Sequence, residues 1–209
     1  MFSDISRYRR IFILVFVIVL VACSKHKPVP PPIVHINPSP QQNYVVTMRV
    51  DNSISNISNV EVVKTYEISN IRECSPIDYT FSMGGSHRPQ SKKVLAKYVA
   101  SESHEISTEF SADYFQDENY YAMGICRWGY SGVRYIFEYN DVKYYVVMPE
   151  ESIRMLLETA YFCRKPHKEK NNFIKVCTLK ETALSYGSEG DYFTTTISVK
   201  RINKGDGGH

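Results

Sequence analysis

The sequence predicts an α+β domain built mainly of antiparallel β-sheet, with one packed amphipathic helix. Three observations predict it. Beyond Asn43, most of the chain alternates β-branched or aromatic residues with polar ones, the period of strands buried on one face. Two such runs meet at Asn140-Asp141, a pair whose side chains tolerate positive φ and therefore suit a tight hairpin turn. A single stretch after Pro149 has helical apolar spacing, and strands lie on both sides of it, which argues against alternating βαβ units. No internal repeat of fixed period is present.

Taken in order, Tyr44, Val46, Met48 and Val50 share one face of a first strand, and Val60, Val62, Lys64, Tyr66 and Ile68 form a second. The Ser/Asn-rich stretch between them, 52–59, reads as a loop. Tyr79 to Met83 reads as a short strand ending at Gly84-Gly85, and Glu105 to Phe110 as another. Lys92 to Ala100 fits helix and strand equally well. Tyr120 to Tyr130 is expected as a strand beside the hairpin formed by 133–139 and 142–148. For the helix, Pro149 presets φ for a first turn, and Glu150 and Glu151 suit its positive end. Ile153, Leu156, Leu157, Ala160 and Tyr161 follow at i, i+3, i+4, i+7 and i+8. Finally, Phe193, Thr195, Ile197 and Val199 face one way on a late strand, while Thr194, Thr196, Ser198 and Lys200 face the other.

The N-terminus carries a different kind of signal. Arg7, Arg9 and Arg10 precede an apolar run from Ile11, too short to cross a bilayer core and ending in Leu20-Val21-Ala22-Cys23. A basic start, a short apolar middle and small residues before a cysteine resemble the lipobox signal peptide of bacterial lipoproteins. That resemblance implies acyl chains on Cys23 and cleavage just before it, and Ser24 in the next position implies an outer-membrane address facing the periplasm. The expected organisation is a signal peptide over 1–22, a lipidated Cys23 with a Pro-rich tether over 23–42, one periplasmic α+β domain over 43–203, and a flexible tail over 204–209. Within the tether, Pro28, Pro30, Pro31, Pro32, Pro38 and Pro40 remove amide donors and favour extended backbone, so it cannot become a helix or central strand.

Removing the first 22 of 209 residues leaves 187, and the excess of basic residues falls mostly within the part removed. The remainder is nearly neutral and has no clustered basic surface, which excludes a nucleic-acid partner. Four cysteines follow Cys23: Cys74, Cys126, Cys163 and Cys177. An even count in an exported chain predicts two disulfides, for which three connectivities exist. Cys163 with Cys177 is favoured because a helix end often faces the following strand, which leaves Cys74 with Cys126. No C-x-x-C pair and no H-x-x-x-H pair is present, so no metal is expected, and no cofactor motif appears. Gly84-Gly85-Ser86-His87 combines a hydroxyl and an imidazole, but a surface turn accounts for it without catalysis.

Tyrosine is abundant, with 16 Tyr against 10 Phe and one Trp. Tyrosine suits both half-buried sheet positions and protein interfaces. An exposed cluster drawn from Trp128, Tyr130, Tyr144 and Tyr145 is expected to bind a periplasmic or envelope protein. The expected function is therefore non-enzymatic: a lipid-anchored protein-binding lipoprotein, of the immunity or inhibitor kind acting on a toxin or hydrolase. The alternative is a structural component of a secretion, pilus or conjugation apparatus. An envelope hydrolase using carboxylates among Glu102, Glu105, Glu109, Asp113, Asp117 and Glu118 is the remaining class.

Overall fold

A computed structural model describes residues 27–54, 57–101, 104–166 and 174–202. The chain divides into two compact units: Met1–Pro31 with Pro76–Arg88, and Pro32–Ser75 with Pro89–His209.

The larger unit is a mostly antiparallel β-sandwich. One sheet has six strands in the order β10 (Thr178–Leu179), β8 (Thr159–Arg164), β11 (Tyr192–Ile202), β1 (Asn43–Val50), β5 (Glu105–Ser111) and β4 (Val99–Ala100). The other has five, in the order β3 (Ser91–Leu95), β2 (Ser58–Ile68), β6 (Trp128–Tyr139), β7 (Val142–Pro149) and β9 (Lys175–Val176). Only β7 and β9 pair in parallel among the described strands. At both flanks the chain crosses from one sheet to the other, between β3 and β4 and between β9 and β10. Each crossing joins the edge strand of one sheet to the edge strand of the other, and these edge strands are only two to five residues long, which limits the template they offer for further pairing.

The core lies between the sheets and follows the predicted alternation. Val46, Met48 and Val50 from β1, Ile106 and Phe110 from β5, and Phe193 and Ile197 from β11 meet Val62 and Tyr66 from β2 and Tyr144, Val146 and Met148 from β7. Buried tyrosines join the layers: Tyr135 Oη donates to Val46 O at 2.8 Å, and Tyr66 Oη donates to Ser111 O at 2.9 Å. The tyrosine excess is thus used largely in sheet-to-sheet packing, where the polar tips of Tyr66 and Tyr135 find carbonyls.

β6 shows how a strand overrides simple alternation. Thr65 pairs with Gly132 but Tyr66 pairs with Tyr130, so Ser131 is an extra, unpaired residue. This bulge turns the even-numbered Trp128 and Tyr130 to the same buried side as the odd-numbered Val133, Tyr135 and Phe137. Gly132 is needed there, because a Cβ would lie 2.9 Å from Met148 O. The predicted hairpin forms as expected: Tyr139 pairs with Val142, and Asn140 and Asp141 take φ of 50° and 59°.

Three expectations change. The helix after Pro149 lasts only from Glu150 to Arg154. Leu156 turns to φ 54°, and Thr159–Arg164 is a strand. The apolar spacing that suggested a longer helix comes from two elements in succession, with Ile153 buried by the helix and Tyr161 and Cys163 by the strand. Tyr120 to Arg127 forms turns, so the strand expected there begins only at Trp128 and continues without a break into the hairpin arm. Residues 79–83 are turns as well. Three short α-helices occur among the described residues: α1 (Ile71–Cys74), α2 (Glu150–Arg154) and α3 (Lys180–Leu184). The described part of the Pro-rich run forms neither helix nor ladder strand, yet its later part is docked: Asn37 N donates to Tyr114 O at 2.8 Å and Gln116 N donates to His35 O at 2.9 Å.

Both expected disulfides form. Cys74–Cys126 ties the end of α1 to the chain entering β6, and Cys163–Cys177 ties β8 to the crossing between β9 and β10. Asn70 reinforces the first, donating from Nδ2 to Ile125 O at 2.9 Å and accepting the Arg127 amide at 2.8 Å.

Candidate functional site

The four aromatics expected to form one exposed cluster are separated instead. Tyr144 is fully buried, stacked on Phe137, with its hydroxyl donating to Arg164 O at 2.9 Å. Tyr145 points to the opposite face of β7, partly exposed, beneath the Arg134 guanidinium. Trp128 and Tyr130 are buried at the start of β6, about 20 Å along the strand from the Phe137–Tyr144 pair. The physical reason is the bulge together with strict alternation along β7: each places its larger rings between the sheets, where they remove most apolar surface from water. Cys23 lies outside the described residues.

Trp128 and Tyr130 do meet at one place with access to solvent. They line a cavity of about 530 Å³ at the end of the sandwich where β5 leaves, β6 begins and β7 runs into α2. Tyr44 and Phe115 complete an aromatic wall, with Phe110 stacked behind Tyr130 at 4.3 Å between ring centroids. The wall is held from outside. Trp128 Nε1 donates to Tyr120 Oη at 3.1 Å, Tyr120 Oη donates to Gln116 O at 2.7 Å, and the Trp128 amide donates to Asp117 Oδ1 at 2.9 Å.

Glu150 and Arg154, one helical turn apart on α2, stand exposed at the rim with Asp117. Asp113 also borders the cavity, but its two carboxylate oxygens are occupied by the Gln41 amide at 2.7 Å and the Gln42 amide at 3.1 Å. Carboxylates therefore outnumber the one guanidinium around the mouth.

One atom of the wall has no partner. Tyr130 is 4% exposed, and its hydroxyl is buried without a hydrogen bond among the described residues. Burial raises the Tyr130 pKa above the ordinary phenol range, with the neighbouring Tyr66, Tyr135 and Glu150 adding in the same direction. The hydroxyl thus stays protonated, a donor and an acceptor both unmet. Buried polar groups of this kind are rare and costly, and in a cavity wall they are satisfied by what enters.

The remaining sequence candidates have other tasks. Glu105 pairs with Arg49, and His35 Nδ1 lies 2.9 Å from Glu118 Oε1. Glu102 lies outside the described residues. Ser86 belongs to a turn in the smaller unit, bridged to Asp78, with Gly85 at φ 73°. Among the described residues no group of His, Cys, Asp and Glu is arranged to hold a metal ion. No helix of the described residues is long and apolar enough to cross a membrane. Comparison of the chain with protein-family models, with curated proteins and with solved structures finds no match.

The cavity combines residues from five separate stretches, so no local motif announces it. Asp113 and Asp117 stood out in the sequence only as charges, and Glu150 and Ile153 only as helix formers. The aromatic run 114–115 beside 128–130 was the one available signal.

Proposed function

We propose that the protein is a bacterial lipoprotein, acylated at Cys23 and facing the periplasm, whose sandwich binds another envelope protein at the end cavity. The observation that carries the binding reading is the unpartnered Tyr130 hydroxyl in an aromatic wall beneath a charged rim. A partner group entering there gains apolar contact from Tyr44, Phe115 and Trp128 and a hydrogen bond from Tyr130. The acidic excess at the mouth favours a basic side chain, because an Arg or Lys reaches past Glu150 and Asp117 with its apolar stem against the rings. Binding is preferred to hydrolysis because Asp113 and Asp117 already accept backbone amides that position the wall.

Two measurements test the two halves separately. Labelled fatty acid should enter the wild-type protein and not Cys23→Ser, and equal labelling of both refutes acylation at that residue. A photo-crosslinking residue at Glu150 should give one discrete adduct in intact cells, and Tyr130→Phe in the same background should weaken it. Crosslinking that is indifferent to Tyr130 places the binding surface elsewhere. A one-to-one adduct supports the inhibitor or immunity form, whereas co-purification with a large complex supports an assembly component.

A further inference from the structure

The smaller unit displays apolar side chains that its own packing does not cover. In the turn-rich segment Pro76–Arg88, Ile77, Tyr79 and Phe81 are each about half exposed, and Met83 is fully exposed. The segment is nevertheless well ordered by polar contacts. Asp78, 1% exposed, accepts from the Thr80 hydroxyl at 2.6 Å, the Thr80 amide at 2.8 Å and Arg88 Nε at 2.8 Å. Its own amide donates to Ser86 O at 2.8 Å. The Arg88 guanidinium in turn lies 5.2 Å from the Phe81 ring centroid. A buried carboxylate thus braces a short platform whose outward side chains are Tyr79, Phe81 and Met83.

One further contact says where this platform sits along the chain. The Val29 amide donates to Asp78 Oδ2 at 3.2 Å, which pins the Pro-rich segment to the centre of the loop. Val29 lies only six positions after Cys23, a separation of at most about 22 Å even for a fully extended chain.

We infer that Tyr79, Phe81 and Met83 insert into the lipid surface to which Cys23 is anchored, making the loop Pro76–Arg88 a second membrane contact. This inference rests on the acylation of Cys23 proposed above. The chemistry fits a bilayer interface. Tyr and Phe are the residue types of the headgroup boundary, and Met adds an apolar tip. Lys25 and Lys27, flanking His26 beside the anchor, attract anionic headgroups. Each apolar side chain taken from water into lipid strengthens association by about tenfold or more. A contact of this size is too weak to recruit the protein alone and strong enough to orient a unit already held by acyl chains.

The test uses the full acylated chain reconstituted in vesicles of phosphatidylethanolamine and phosphatidylglycerol brominated on the upper acyl chain. The emission that Met83→Trp adds to that of Trp128 should fall several-fold relative to unbrominated vesicles. A tryptophan at Val147, exposed on the outer face of β7, should be unaffected. Phe81→Trp serves as a second reporter in case Met83→Trp perturbs the fold. If Cys23 carries labelled fatty acid and neither reporter is quenched, the loop does not enter lipid and acylation stands. If Cys23 carries no label, the acylation reading falls and this inference falls with it. A concentration-dependent blue shift without quenching shows contact with a second copy instead, and overturns the lipid assignment.

Discussion

Tyr130 and Tyr135 differ by five positions on one strand, and their hydroxyls have opposite fates. Tyr135 is buried and bonded to Val46 O, whereas Tyr130 is buried and bonded to nothing among the described residues. The physical consequence is opposite in sign. Tyr135→Phe removes a net favourable hydrogen bond between the sheets and should lower stability by about 1 kcal/mol. Tyr130→Phe removes a hydroxyl whose desolvation is uncompensated, so it should leave stability unchanged or raise it by up to about 1 kcal/mol, roughly 2–4 °C in Tm for a chain of this size. Thermal unfolding of the two variants reads this directly. If Tyr130→Phe is the more destabilised of the two, the hydroxyl has a partner and the cavity loses its distinguishing atom. Sequence alone does not separate these tyrosines, since both sit in the same alternating aromatic run and only the Ser131 bulge and the opposite sheet assign their surroundings.

Two elements carry testable strain or charge. At the bulge, Gly132→Ala places a methyl group 2.9 Å from Met148 O, backbone that cannot rotate away. The cost should be about 1–3 kcal/mol, seen as a lower midpoint in urea, and it should come with altered access to the cavity because Trp128 and Tyr130, just before the bulge, take their inward orientation from it. Tolerance of alanine without loss of stability would mean that β6 and β7 separate there freely. In the loop Pro76–Arg88, hydrogen bonding by Thr80 holds the Asp78 carboxyl well below the usual carboxylate range. Burial opposes that shift, and the Arg88 guanidinium assists it. A depressed folded-state pKa means that the unfolded segment binds the proton first as pH falls. The stabilisation is therefore fully present above the ordinary Asp value of about 4 and is lost progressively below it. Protease cleavage within the loop should stay slow at neutral pH and rise only as the solution becomes strongly acidic, and Asp78→Asn should make cleavage fast at every pH. An Asp78→Asn loop as resistant as wild type at neutral pH would show that the carboxylate does not brace it.

At the scale of the molecule, the two disulfides close loops of different length, one at the entry to β6 and the other at the flank where β9 crosses to β10. Cys74–Cys126 spans 52 positions and Cys163–Cys177 spans 14. Chain entropy assigns them roughly 4 and 3 kcal/mol, so loss of the longer bridge should cost more, and loss of both should approach the whole stability of a typical domain. Denaturing alkylation of protein from the periplasm should find none of these four thiols free, and Cys74→Ala/Cys126→Ala should lower Tm further than Cys163→Ala/Cys177→Ala. The reverse order would mean that the unfolded chain is already constrained between 74 and 126. The longer bridge also fixes the start of β6, and hence Trp128 and Tyr130, so reducing it should open the cavity before the core melts.

What the sequence determined by itself is whatever depends on neighbours along the chain. The strand faces of β1, β2, β5 and β11 follow from two-residue alternation, and the hairpin follows from Asn140-Asp141. The even cysteine count predicts two bridges, and Cys163 does pair with Cys177, but from strand β8 rather than from the helix end that favoured the pairing. Only the tertiary structure decided what depends on residues far apart. Leu156 ends the helix after one turn because the chain must re-enter the sheet as β8, where Tyr161 and Cys163 bury against the core, and helix-like spacing on a short segment cannot register that demand. The bulge at Ser131 turns Trp128 and Tyr130 inward through its register with β2. The cavity, its unpartnered hydroxyl and the Val29–Asp78 contact each join stretches dozens of residues apart, and burial and hydrogen-bond satisfaction at such places are properties of the assembled core rather than of any segment of it.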